Sequence, residues 1–172
     1  MTAPVARYLI DDHRRLDALL TTAFAEPARI DAAAYAGFRV GLLRHIGLEE
    51  KILLPAAQRL RGGAPLEVAA HLRLDHGALV ALLVPSPTPA IGAALRAILT
   101  AHNPLEEGVD GAYAICEALL GEEADALAGQ LRAAPDVRVN AHVDTQLAHD
   151  AMRRAVARAG YDFDALAGAA ST

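Results

Sequence analysis

One arrangement of histidine and glutamate occurs twice along the chain, and it constrains the fold more than any other feature. The unit begins with Asp-His and continues, a helix later, with His-x-x-x-Glu. Its two copies contain Asp12-His13 with His45-Ile-Gly-Leu-Glu49, and Asp75-His76 with His102-Asn-Pro-Leu-Glu106. Because each unit has the length of two helices, the sequence predicts two similar helix pairs.

Proline and glycine divide the chain into helical stretches. The composition favours helix over sheet, because alanine and leucine are frequent and aromatic residues make up only 4%. Helices are predicted over about 4–24, 31–60, 65–84 and 90–120, the last of them kinked or restarted at Asn103-Pro104. Short loops between long helices predict antiparallel neighbours, and therefore an all-α, up-down-up-down four-helix bundle over residues 1–120.

Residues 121–172 are predicted to form a C-terminal helical extension. One helical stretch runs to about residue 134, and a second runs from about 137 to 159, after Pro135. His142 and His149 lie seven residues apart and share a face, which we interpret as a surface or docking face rather than a second metal site. If the chain forms homo-oligomers, this extension is the expected contact.

The repeated histidines and glutamates lie on the apolar stripes of the predicted helices. In the second helix, Leu42, His45, Glu49 and Ile52 follow steps of three and four, which is typical of a buried stripe. The same steps turn His13, His76, His102 and Glu106 inward, near one level of the bundle. Burying an ionised glutamate without a partner is costly, and no lysine or arginine lies on these stripes at that level.

The sequence therefore predicts a metal centre. Imidazole and carboxylate ligands without thiolate suit iron, manganese or zinc. Six protein ligands are too many for one tetrahedral zinc ion, but they suit two octahedral ions that keep open positions. The open positions favour a reactive site over a structural one. The alternative is a bundle without metal in which the histidines and glutamates pair with one another.

The order His, His-x-x-x-Glu, His, His-x-x-x-Glu, with the doublets Glu49-Glu50 and Glu106-Glu107, resembles the hemerythrin-like family, also called the HHE cation-binding domain. The resemblance covers roughly residues 4–120. It implies two non-haem iron ions joined by an oxo or hydroxo bridge, with Glu49 and Glu106 as bridging ligands. The metal ligands that it implies are His13, His45, Glu49, His76, His102 and Glu106.

The family resemblance implies a small ligand, namely dioxygen, hydrogen peroxide or nitric oxide, without selecting one activity. Oxygen-carrying relatives have two histidines one turn apart on the third helix. Here His71 lies about 140° around the helix from His76, and Tyr8 has the same offset from His13. We predict that His71 and Tyr8 act as additional ligands or as hydrogen-bond partners of ligands. The smaller histidine set favours redox chemistry over oxygen carriage, and a non-catalytic sensor or iron-storage module is the alternative.

Charge and composition exclude other classes of protein. The net charge of −5 and the absence of a long basic run argue against nucleic acid and anionic membranes as partners. The charged residues Asp11 and Asp12 end the N-terminal apolar stretch before it is long enough for the apolar region of a signal peptide. No apolar stretch is long enough to span a bilayer. The single cysteine, Cys116, is predicted to be a small core residue in a reducing compartment, so we expect a cytoplasmic protein. Asp12 and Asp75 are predicted to be surface positions.

Overall fold

The computed structural model describes residues 3–26 and 28–168, and the regular secondary structure of these residues is helical, with no strand among them. The prediction of an all-α chain is confirmed. The α-helices are α1 (Pro4–Ala23), α2 (Ala32–Leu48), α3 (Leu54–Leu60), α4 (Ala69–Leu82), α5 (Pro89–Glu107), α6 (Ala112–Leu120), α7 (Ala124–Ala133), α8 (Gln146–Arg158) and α9 (Phe163–Gly168). In the described ranges, no helix combines the length and the apolar character needed to cross a bilayer.

Several helices begin where a side chain satisfies a free backbone N–H. Asp31 precedes α2, and its carboxylate accepts a hydrogen bond from the backbone N–H of Ala34 at 2.9 Å. Thr88 and Thr145 cap α5 and α8 in the same way. These caps supply acceptors for N–H groups that the first turn of a helix leaves unpaired.

The backbone departs from the predicted helices at three places. A π-helical segment, Glu49–Leu53, connects α2 to α3, so the predicted second helix is continuous but widened by one extra residue in the turn at the site. Of the two alternatives predicted at Pro104, a kink or a restarted helix, the restart is wrong, because α5 continues through Pro104 to Glu107. Pro104 lies on the exposed face of α5, where solvent can reach the carbonyl group that the proline leaves without a donor. The chain breaks instead between α5 and α6, at 108–111.

The predicted helix from about residue 137 is also wrong over residues 137–145, which are irregular. This segment crosses α2, where Arg39 donates a hydrogen bond to the Asn140 carbonyl at 2.9 Å. Arg44 donates to the Ala134 carbonyl, also at 2.9 Å, just before the segment. The side chain of Asp144 accepts hydrogen bonds from the backbone and hydroxyl of Ser86. Since these contacts use the groups that a helix would pair internally, α8 begins only at Gln146.

Helix packing creates two apolar clusters with a polar layer between them. α1 packs on α2 and α4 packs on α5, while α7, α8 and α9 pack on α1, α4 and α5 respectively. Along α1, Leu9 belongs to one apolar cluster and Leu16 to the other. Leu72 and Leu79 are divided in the same way along α4. The histidines lie between these leucines, so the fold places them at one level.

Candidate metal centre

All six residues that the sequence predicts as ligands meet in this polar layer. Each of them is at most 6% exposed. The ligating atoms form two groups, and within each group every atom lies within 4.8 Å of the others. The first group consists of His13, His45, Glu49 and Glu106, and the second consists of His76, His102 and Glu106.

The two glutamates connect the two groups, because each directs one carboxylate oxygen to either side. Glu49 Oε1 lies 3.4 Å from His45 Nε2, and Glu49 Oε2 lies 3.2 Å from His76 Nε2. Glu106 Oε2 lies 3.4 Å from His13 Nε2, and Glu106 Oε1 lies 3.1 Å from His102 Nε2. We call the side of His13 and His45 the first half-site, and the side of His76 and His102 the second half-site.

The two glutamates reach the centre from different backbone conformations. Both follow a histidine by four residues, which places histidine and glutamate one helical turn apart. Glu106 lies in the last turns of the α-helix α5, whereas Glu49 is the first residue of the π-helical segment. Single π-turns inside α-helices are frequent at functional sites.

Outside the ring of Nε2 atoms, a carboxylate holds the Nδ1 atom of each histidine. The second glutamate of each doublet reaches across to the other helix pair. Glu50 Oε1 lies 2.8 Å from His76 Nδ1, and Glu107 Oε1 lies 2.5 Å from His13 Nδ1. Because an ionised carboxylate can only accept a hydrogen bond, the imidazole Nδ1–H donates, and Nε2 is left to face the centre.

Two aspartates complete this outer ring, and the prediction that they are surface positions is wrong. Asp12 Oδ2 lies 2.9 Å from His45 Nδ1, and Asp75 Oδ2 lies 3.1 Å from His102 Nδ1. Asp75 is 0% exposed. The turn of about 100° between neighbouring helical residues points these aspartates at the adjacent helix rather than at solvent. The Asp-His dipeptide in both copies of the repeat was the signal that could have revealed this role.

The surrounding carboxylates change the basicity of the imidazoles. Burial by itself lowers the pKa of His45, His76 and His102, but neighbouring carboxylates outweigh burial in all three. The pKa rises to about 10 for His45, about 11 for His76 and about 9 for His102. His13 differs, since burial and the adjacent charge of His45 lower its pKa despite Glu106. The carboxylates therefore favour positive charge at this level of the fold.

Tyr113, on α6, is the functional-site residue that sequence reasoning missed. Its hydroxyl is buried and lies 3.2 Å from His13 Nε2 and 3.3 Å from His45 Nε2. It donates a hydrogen bond to Glu49 Oε1 at 2.5 Å, and Glu106 Oε2 lies 3.1 Å away. Burial raises the pKa of this hydroxyl well above 10, and the two glutamates raise it further. The sequence offered no direct signal for this role, because the chain leaves the helical path at 108–111 before α6 returns Tyr113 to the site.

Tyr8 and His71, the predicted additional ligands, lie outside both donor groups. The Tyr8 hydroxyl accepts a hydrogen bond from Arg44 at 2.9 Å. The side chain of His71 is 58% exposed, and its Nε2 lies 3.5 Å from Asp75 Oδ2. His71 thus approaches the partner of a predicted ligand, and Tyr8 contacts neither half-site. Cys116 is a buried core residue, as predicted, and belongs to the apolar cluster that contains Leu9. Burial raises the pKa of its thiol to about 12.

The donor set fits a metal centre. Glu49 Oε2 and His76 Nε2 are buried and 3.2 Å apart, yet neither forms a hydrogen bond within the described part of the chain. Two such atoms that face each other in a buried site are costly unless a proton or a metal cation lies between them. Six carboxylates, two inner and four outer, surround four imidazoles, so bound cations would also balance the charge. The buried histidines and glutamates can therefore hold a metal ion.

Comparison of the chain with protein families, with curated proteins and with solved structures finds no match in any of the three.

Proposed function

We propose that this chain is a non-haem di-iron protein of the hemerythrin-like type, which binds or reduces a small oxidant. In this proposal, α1, α2–α3, α4 and α5–α6 form the four-helix bundle, and the residues after 120 form a helical extension around it. The observation that carries the proposal is the sharing of Glu49 and Glu106 between the two half-sites.

The shared glutamates favour two metal ions over one. A single ion needs one convergent set of donors, whereas these donors form two groups with Glu106 common to both. Each half-site contains two imidazole nitrogens and two carboxylate oxygens. This is fewer than the six donors of an octahedral ion, so each position would retain sites for exogenous ligands.

The donor chemistry favours iron, with manganese or zinc as alternatives. Nitrogen and oxygen donors without thiolate are the set that non-haem iron uses, and Cys116 is not part of either donor group. When bound, iron would supply the redox chemistry. The chain orients the four imidazoles through their Nδ1 partners, and the apolar clusters on both sides keep bulk water from the layer.

Burial limits the ligand to a small molecule. The six predicted ligands are at most 6% exposed, and apolar side chains close the layer above and below. A substrate with more than a few atoms would have to displace part of an apolar cluster, which close packing opposes. Dioxygen, hydrogen peroxide and nitric oxide are small enough to enter.

The proposal is tested by loading the metal-free protein with ferrous iron and measuring metal content and peroxide consumption. We expect two irons per chain, and turnover of hydrogen peroxide above that of free iron. His76→Ala should lower both, and His149→Ala is the matched control because His149 lies on α8 in the C-terminal extension, outside the donor groups. Protein that folds without metal and takes up no iron would overturn the proposal. Two irons without consumption of peroxide, dioxygen or nitric oxide would indicate the sensor or storage alternative.

A further inference from the structure

The two half-sites differ in one buried group. The Tyr113 hydroxyl lies within hydrogen-bond distance of four candidate metal-binding atoms, which belong to His13, His45, Glu49 and Glu106. These are the four residues of the first donor group. Among the described residues, Tyr113 makes no hydrogen bond to His76 or His102. The phenol therefore belongs to the first half-site alone.

The Tyr113 hydroxyl faces more acceptors than it has hydrogens to donate. A phenol has one hydrogen to donate, and the bond to Glu49 uses it. Glu106 Oε2 is a second carboxylate oxygen and lies 3.1 Å from the phenol oxygen. The single hydrogen of the phenol cannot fully serve both carboxylates. Two imidazole nitrogens, two carboxylate oxygens and the phenol oxygen thus converge in one buried space, and each of these five atoms can bind a metal. Such a convergent set is the kind of arrangement that a cation completes.

Only one of the two copies of the internal repeat has a tyrosine at this position. Tyr113 follows Glu106 by seven residues, and the residue that follows Glu49 by seven is Ala56. Ala56 has a methyl side chain that cannot ligate a metal. The first helix pair thus offers no equivalent phenol to the second half-site.

We propose that Tyr113 supplies a phenolate oxygen to the metal ion of the first half-site, which makes the two metal positions chemically different. This inference rests on the proposed di-iron function. On coordination the phenolic proton leaves to solvent, and no electron is transferred.

A phenolate ligand has a spectroscopic signature that a purely structural tyrosine lacks. Air-oxidised, iron-loaded protein should show a visible phenolate-to-iron(III) charge-transfer band. Excitation into that band should enhance the ring vibrations of tyrosinate in the resonance Raman spectrum. Because the wild-type protein carries the signature, this measurement does not depend on whether any variant folds.

The variant Tyr113→Phe assigns the band to one residue. We expect it to retain two irons per chain and to lose the visible band and the tyrosinate vibrations. Tyr8→Phe is the matched control, since its hydroxyl contacts Arg44 rather than the half-sites, and it should keep both signals. Metal analysis of the same samples separates the two proposals, because absent iron would overturn the proposed function.

A result with the wild-type protein or with the variant could overturn the assignment of Tyr113 as a metal ligand. The first is iron-loaded wild-type protein with two irons and no tyrosinate signature. The second is a Tyr113→Phe variant that keeps the band, or that binds iron more tightly than wild type. Tighter binding would mean that the phenol occupies the metal position and competes with the ion.

Discussion

The two half-sites have the same imidazole and carboxylate donors but different surroundings. In the first, Asp12 holds His45 while also pairing with Arg15 at 2.8 Å, and Tyr113 lies among the donors. In the second, Asp75 is fully buried and holds His102, and its other oxygen has no hydrogen-bond partner in the described structure. The repeat thus places the same types of donor at both half-sites. Arg15 and Tyr113, which lie outside the repeated motifs, make the surroundings of the two half-sites different.

The backbone conformation also differs between the two copies of the repeat. The copy that contains proline within His-x-x-x-Glu keeps a regular α-helix, and the copy without proline contains the π-helical segment. Glu49 and Glu50 both lie in that segment, and both contact His76 of the other helix pair. The extra residue of the π-turn therefore coincides with the place where the first helix pair reaches across to the second.

The largest expected effect comes from a residue that both half-sites share. Glu106→Gln replaces a carboxylate that directs one oxygen to each side, so both positions lose a charged donor. We expect metal content to fall from two irons to near zero, as measured by elemental analysis after gel filtration. Glu67→Gln on the surface is the control. Retention of two irons by Glu106→Gln would mean that the carboxylate does not bridge.

A loss confined to one half-site should be smaller. His45→Ala and His102→Ala each remove one imidazole from a single donor group. We expect about one iron per chain in each variant, with the tyrosinate band retained only in His102→Ala. Visible spectra of metal-quantified samples test this difference. If either single variant lost all its iron, the two positions would not bind independently enough to be called half-sites.

The convergence of the six buried histidines and glutamates and the all-α class could be predicted from the sequence because both depend on helical periodicity. His13, His45 and His76 occupy apolar stripes, and a charged residue on such a stripe needs a partner. Helix-to-helix contacts were beyond this reasoning. The role of Asp75 depends on which neighbouring helix faces it, and the role of Tyr113 depends on how α6 returns to the site after 108–111.

Pro104 illustrates the opposite error. Its local propensity predicted a kink or a restarted helix, but the ring lies on the exposed face, and α5 does not restart there because the buried contacts of His102 and Glu106 hold it together. Tertiary packing outweighs the loss of one helical hydrogen bond here.

The outer carboxylates should affect metal affinity less than the ligands do. Asp75→Asn leaves the Nδ1 atom of His102 without a charged partner in a fully buried place, and such changes typically lower metal affinity about 10- to 100-fold. Asp12→Asn should have a smaller effect, because Arg15 already offsets that charge at the surface. Competition with a chelator measures both affinities. Equal losses would argue that the two half-sites are equally exposed to solvent.

The smallest expected effect is a pH dependence of the metal-free protein. The folded pKa values of His45, His76 and His102 are about 10, 11 and 9, above the ordinary value of 6.5. Since these values are raised, their stabilisation is fully present below pH 6.5 and is lost as the pH rises through 9 to 11. Urea unfolding of metal-free protein should show this decline. Iron-loaded protein should not, because bound metal replaces the protons.

The central claim is that two metal ions bind between the two helix pairs, and anomalous diffraction from iron-loaded crystals tests it most directly. Data collected on either side of the iron absorption edge should show two peaks in the polar layer. One peak should lie beside His13 and His45, within reach of Tyr113, and the other beside His76 and His102. A single peak, or none in a crystal whose protein contains bound iron, would contradict the account.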